Sequence, residues 1–267
     1  LKNYEEAKKC FEKVTELEPK NPDGWLKLGS VYLKMGRPEV ARKNSMISTV
    51  LDPKSTEAWF DAGIAQLKLE MYNEAMESFK KSTELNEKNV DAWIGLGFAH
   101  AASRAPKEAK ECFEKVIKLD EKDVVAWCSL GLAQRNLEEY ENAIKSYKKA
   151  IELDKENINA WFNLGASYGN LKNYEEAKKC FEMVTELEPK NLDGWLRLGS
   201  AYLVMDKPAE ARKSFMISTV LNPKSADAWL GAGRAQLKLE MYNEAVESFK
   251  KATELNEKNV DAWIGLG

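Results

Sequence analysis

The side chains best suited to nucleophilic, redox or metal chemistry in this sequence are one histidine, His100, and four cysteines, Cys10, Cys112, Cys128 and Cys180. A single histidine cannot build a multi-histidine metal site, and any Ser/His or Cys/His nucleophile would have to use His100. Neither a phosphate-binding glycine loop nor a metal-ligand spacing accompanies them. The 267 residues are 44% hydrophobic and 31% charged, with 40 basic against 43 acidic side chains and a net charge of −3. That balance excludes a disordered polyelectrolyte and gives no electrostatic footprint for nucleic acid or an anionic membrane. The longest apolar stretch, Val124 to Ala133, is far short of the roughly 20 residues that span a bilayer. The opening residues Leu1-Lys2-Asn3-Tyr4 do not read as a targeting segment. The expectation is a chain that is not an enzyme and takes no cofactor and no metal.

The elements that hold these residues are set by a period. Trp25, Trp59, Trp93, Trp127, Trp161, Trp195, Trp229 and Trp263 are each 34 residues apart. Four after each tryptophan stands a glycine: Gly29, Gly63, Gly97, Gly131, Gly165, Gly199, Gly233 and the final Gly267. Twenty after it comes an aromatic, from Phe79 to Phe249, with Ser45 the single departure. Four before it stands Asn, Ser or Asp, a type that caps a helix N-terminus through its side-chain oxygen. Thirteen after it comes Pro38, Pro106 or Pro208, or else a tyrosine, and proline is tolerated only in the opening turn of a helix. Each period therefore reads as two amphipathic helices, close-packed at the glycine, with the tryptophan and the aromatic buried beside it. Glu5–Lys9, Glu39–Lys43, Glu141–Lys145 and Glu175–Lys179 are spaced as i,i+4 ion pairs on solvated faces.

The pattern W-x2-L-G-x2-Y, then A-x3-F, then P at Pro53, Pro189 and Pro223, resembles the tetratricopeptide repeat over the whole chain. A pentatricopeptide array, which reads RNA, would resemble a 35-residue period with a basic face, and both are absent. The resemblance implies an all-α, right-handed solenoid or superhelix, with first helices lining a concave groove and second helices outside. The expected organisation is one array: a partial repeat over 1–21, full repeats over 22–55, 56–89, 90–123, 124–157, 158–191, 192–225 and 226–259, and a partial repeat over 260–267.

A longer repeat overlies the short one. Residues 1–97 recur as 171–267 with 19 differences, an offset of 170 that equals five periods, so a five-repeat block is duplicated. Whatever surface the block carries is expected twice. The ends fall inside repeats and lack polar caps, which suggests an excerpt of a longer array and makes head-to-tail self-association through the raw ends a possible state.

The reactive residues fall into packing columns. Cys10, Cys112 and Cys180 share one column, at least two repeats apart, far beyond the ~7 Å Cα limit of a disulfide. They read as small packed thiols of a reducing, cytoplasmic protein. Cys128 lies on the groove side without a base nearby, and His100 occupies a Tyr/Gln packing column. Family resemblance places an apolar column one after each tryptophan along the concave wall: Leu26, Phe60, Ile94, Phe162, Leu196 and Leu230 among them. Phe98, Leu132 and Arg234 stand five after it and Arg135 eight after it, with an acidic margin of Asp23, Glu57, Asp91, Asp193, Asp227 and Asp261. An apolar floor with an acidic rim suits an extended or amphipathic peptide with hydrophobic anchors and some Lys or Arg. The clamp that grips chaperone tails resembles Lys one after and Asn five after the tryptophan, and the arm of O-linked N-acetylglucosamine transferases resembles an Asn ladder two after it. Neither occurs here. The expected function is a protein-interaction scaffold, with a ligand-free self-stacking solenoid and an accessory arm of an absent catalytic domain as alternatives.

Overall fold

A computed structural model of the chain describes residues 2–267, with side chains from Asn3 onward. Among the described residues there are sixteen α-helices and no strand. The first helix of each period is α2 (Pro22–Lys34), α4 (Thr56–Lys68), α6 (Val90–Ala102), α8 (Val124–Asn136), α10 (Ile158–Asn170), α12 (Leu192–Val204), α14 (Ala226–Lys238) and α16 (Val260–Leu266). The second helices are α1 (Lys2–Leu17), α3 (Pro38–Leu51), α5 (Tyr72–Leu85), α7 (Pro106–Leu119), α9 (Tyr140–Leu153), α11 (Tyr174–Leu187), α13 (Pro208–Leu221) and α15 (Tyr242–Leu255). They form two compact units, 1–137 and 138–267. Within each unit a first helix packs on the second helix that follows it and on the one that precedes it, the arrangement of a solenoid.

Local chemistry sets the boundaries. Every first helix is capped by the side-chain oxygen of the residue before it, for example Asp123 accepting from the Ala126 N–H at 2.7 Å and Asn191 from Gly194 at 2.8 Å. Pro38, Pro106 and Pro208 are each the first residue of a second helix. The turn between the helices of one repeat needs a left-handed residue. Gly36 supplies it at φ 69°, whereas Glu70, Arg104, Glu138, Lys172, Asp206 and Glu240 adopt φ of 54–61° with a Cβ present. Most of the ion pairs within a helix among the described residues are i,i+3: Glu5 meets Lys8 at 3.2 Å rather than Lys9, and Glu176 meets Lys179 at 2.6 Å, while Lys178 and Glu182 pair at i,i+4 and 3.9 Å.

The core departs from expectation in one respect. The aromatics of the second helices are the buried ones, with Phe79, Phe113, Tyr147 and Phe249 almost wholly enclosed, while Trp25 through Trp229 are half-buried and Trp263 is exposed. The indole explains the difference, because its N–H needs an acceptor. In all eight it donates to the backbone carbonyl six residues earlier, from Pro19 O to Glu257 O, at 2.8–3.0 Å. That carbonyl lies in the turn between repeats, so the tryptophan holds the turn with one edge and covers the core with the other. At Gly63, Gly97, Gly165, Gly199 and Gly233 the following aromatic lies against the glycine, whereas Gly29 faces Ser45 and Gly267 is exposed. A Cβ at Gly63 would stand 2.8 Å from the Phe79 ring.

Candidate functional site

The expected groove residues are carried by the first helices, and their depth varies within one column. Leu26 is buried, at 4% exposure, and so belongs to the core rather than to an accessible floor. Phe60, Ile94, Phe162, Leu196 and Leu230 are half-buried, Phe98, Leu132 and Arg234 are exposed, and Arg135 is half-buried. Three of these aromatics also lean on the core. The ring centroids of Phe60 and Phe79 are 5.9 Å apart, those of Phe98 and Phe113 5.5 Å, and those of Phe162 and Phe181 5.7 Å. Such tilted and edge-on pairs contribute about 0.5–1.5 kcal/mol each beyond area. These three phenylalanines therefore contribute to the core as well as to the surface of the first helices.

Two cavities gather the sequence-predicted residues. One of about 350 Å³ joins Phe98 and Leu132 over Phe113 in the first unit. The other, of about 510 Å³ in the second unit, joins Leu196, Leu230 and Arg234 with Phe215 beneath and Asp193, Arg197 and Asp227 around it. Arg234 is held by Asp261 at 2.8 Å, whereas Arg197 makes no ion pair among the described residues.

The two copies of the duplicated block are not chemically equal here, so the expectation of one surface presented twice is corrected. Phe215 of the second copy sits between Gly199 and Gly231, and a Cβ at Gly231 would fall 2.4 Å from its Cε1. The first copy has Ser45 in place of Phe215 and Asp61 in place of Gly231. The small residue and the large one have changed helices. Asp61 is only 8% exposed and accepts a hydrogen bond from the Ser30 hydroxyl. Burial pushes its carboxyl above the usual carboxylate range, and the Ser30 hydrogen bond opposes that shift. Ser45 is fully buried and its Oγ has no hydrogen-bond partner. The helices α3 and α13 span corresponding residues, Pro38–Leu51 and Pro208–Leu221. Lys27 and Glu57 further close the first copy at 3.2 Å, while their counterparts Arg197 and Asp227 form no such bridge. The signal for this was present in the sequence as two of the 19 differences.

Of the candidates for covalent chemistry, Cys10 is exposed rather than packed as its column suggested, and Cys128 is half-buried. Cys112 and Cys180 are buried, and burial pushes both thiols up to about 12. His100 is half-buried in α6. Burial lowers its pKa, against the raising influence of Glu108 and Glu111. Among the described residues no cluster of His, Cys, Asp or Glu could hold a metal ion.

Family profiles described as "TPR repeat" match residues 1–36 and 135–172, and profiles described as "Tetratricopeptide repeat" match 66–130, 158–191 and 226–259. The chain belongs to the tetratricopeptide repeat family. No curated protein sequence matches it. Among solved structures, the C-terminal part of a TPR repeat-containing protein from Cytophaga hutchinsonii has a TM-score of 0.77 at 17% identity, covering 91% of this chain and 99% of that one. YrrB, a TPR protein described as having an unusual peptide-binding site, has a TM-score of 0.61 at 22% identity over 69% of this chain and 95% of its own. The APC/C hetero-tetramer Cut9–Hcn1 has a TM-score of 0.63 at 18% identity over 98% of this chain, which spans about half the length of the matched protein. At these identities the likeness concerns the fold of this TPR array. No helix among its described residues is long and apolar enough to cross a membrane.

Proposed function

We propose that this TPR array is a non-enzymatic interaction scaffold that binds an extended or amphipathic segment of another protein along its first helices, with the repeats 22–55 through 226–259 as its units. The observation that carries the reading is the cavity of about 510 Å³ with Leu196 and Leu230 over Phe215, rimmed by Asp193, Asp227, Arg197 and Arg234. Apolar depth beneath polar groups of both signs is what an anchored peptide needs: burial for affinity, and charges for register and direction. The peptide-binding description of YrrB supports the class of ligand by analogy. The buried free thiols Cys112 and Cys180 suit a reducing compartment such as the cytoplasm.

A random peptide library displayed on phage and selected against the chain supplies a probe, whose fluorescein-labelled form is then titrated by anisotropy. Leu230→Glu and Leu196→Glu, both at half-buried positions, are expected to weaken the selected peptide at least tenfold while leaving helicity unchanged. Equal affinity for the variants would overturn the placement of the site.

A further inference from the structure

The second helices α3 and α13 bury nearly the same small and polar positions as α5 and α15, but their outward faces differ from those of the other second helices. Turned inward, α3 presents Ala41, Asn44, Ser45, Ser48 and Thr49, small or polar residues that are all buried. Along the outer side Ile47, Val50 and Leu51 fall at i, i+3 and i+4, the spacing of an apolar helix stripe, with Lys43 one turn before them, while Met46 leans toward α4, its sulfur 3.9 Å from the Gln66 amide. Val50 is 76% exposed, and its counterpart Val220 on α13 is 77% exposed.

The other repeats show what this face normally carries. At the position of Val50 and Val220 they have Glu16, Glu84, Lys118, Glu152, Glu186 and Glu254. At that of Ile47 and Ile217 they have Lys13, Lys81, Lys115, Lys149, Met183 and Lys251. Four of these sets close as Lys–Glu pairs across one turn, Lys13–Glu16 at 2.9 Å and Lys81–Glu84, Lys149–Glu152 and Lys251–Glu254 at 3.0 Å. A solvated ion pair has thus been exchanged for two β-branched apolar residues, and the exchange occurs once in each copy of the duplicated block.

The surroundings specify a charge. On α3 the stripe forms a depression of about 510 Å³ lined by Met46, Ile47, Val50 and Leu51, with Glu39, Arg42 and Lys43 along it. On α13 the basic pair recurs as Arg212 and Lys213, and the acid moves by one residue, Ala209 and Glu210 standing for Glu39 and Val40. None of Arg42, Lys43, Arg212 and Lys213 forms an ion pair among the described residues. The Nε of Arg212 is buried without a hydrogen-bond partner. Unpaired cations beside exposed aliphatic side chains complement a ligand that brings carboxylates and apolar groups together.

We propose that the outward faces of α3 and α13 each dock an acidic amphipathic helix of a partner protein, seating its apolar side chains on Ile47 and Val50, or Ile217 and Val220, and its carboxylates against Arg42 and Lys43, or Arg212 and Lys213. This site lies on the second helices and does not depend on the groove of the first. The probe is a fluorescein-labelled synthetic helix with leucines one turn apart on one side and glutamates beside them, and the same helix with lysines for glutamates is the control. The acidic probe binds the intact chain at two sites, and the basic control binds at least tenfold more weakly.

The double substitution Ile47→Lys with Val50→Glu installs the pair that four other repeats already carry, so the helix is expected to persist, as circular dichroism would verify. It removes one of the two sites. Adding Ile217→Lys with Val220→Glu removes the other, while the phage-selected groove peptide binds all variants alike. The proposal is overturned if the acidic probe does not bind, if the quadruple variant binds it undiminished, or if the basic control binds equally. It is also overturned if sedimentation shows the intact chain self-associating and the quadruple variant monomeric, since the occupant would then be a second copy of the chain.

Discussion

The exchange of Ser45 and Asp61 for Phe215 and Gly231 between the two copies is testable by transplanting it. In Ser45→Phe alone, the incoming ring meets Asp61. At the corresponding place in the second copy a Cβ would stand 2.4 Å from the ring, nearer than real Cβ atoms approach. Overpacking of this kind costs about 1–3 kcal/mol, which cancels the ~1.5–3 kcal/mol that burying a phenylalanine contributes. In Asp61→Gly alone, the helix loses a few tenths of a kcal/mol of propensity and the space beside Ser45 opens. Removal of a buried carboxylate offsets part of that loss. In the double variant the ring is buried without the clash, as Phe215 is. The expected coupling is therefore favourable by about 2 kcal/mol, at the upper part of the usual range for contacting residues. Guanidinium denaturation followed by circular dichroism gives the four corners of the cycle. Hydrogen exchange of the α3 and α4 amides gives a local value, because a long array need not unfold in two states. Single effects that add to the double within about 0.4 kcal/mol would refute the reasoning.

Two further outcomes follow from the titrating groups. Because burial raises the Asp61 pKa in the folded protein, the folded state holds that proton more tightly than the unfolded chain. Its contribution to stability is therefore lost as pH rises from the ordinary value of 3.8 through the raised one and is constant above it. Asp61→Asn removes this segment of the pH dependence and is at least as stable as the parent at pH 7. Parallel Tm curves for the two proteins between acid and neutral pH would contradict this. Cys112 and Cys180, with thiols pushed up to about 12, should resist iodoacetamide at neutral pH until denaturant is added, whereas the exposed Cys10 is modified at once. Mass spectrometry of the native-labelled chain with either buried thiol alkylated would count against their packing.

The helices and their boundaries were legible in the sequence because capping and proline chemistry is local. An Asn, Ser or Asp four before each tryptophan accepts the N–H it was expected to accept. Depth was not legible. Tryptophan and phenylalanine columns share one period, and a period identifies a face without saying how far beneath the surface it lies. The indole N–H, drawn to a turn carbonyl, decides that the tryptophan stays at the edge. Leu26 and Leu196 illustrate the same limit, since identical residues in one column are buried in one copy and half-buried in the other. Their surroundings differ by Phe60 for Leu230, Asp61 for Gly231 and Ser45 for Phe215, so the neighbours and not the leucine itself differ between the copies. The face of α3 was hidden for a related reason: an apolar stripe at helical spacing predicts burial, and only the fold reveals that this one points away from its neighbours.

Each indole N–H is bonded to a carbonyl in the turn that joins its own repeat to the one before. Fluorescence from an indole shifts when such a bond breaks and water reaches the ring, so the chain carries a spectroscopic ruler graduated every 34 residues. A series of variants retaining one tryptophan and replacing the others with phenylalanine would read the order in which turns open along the array, without attaching any dye. The same residues that close the repeats thereby make their unzipping visible one division at a time.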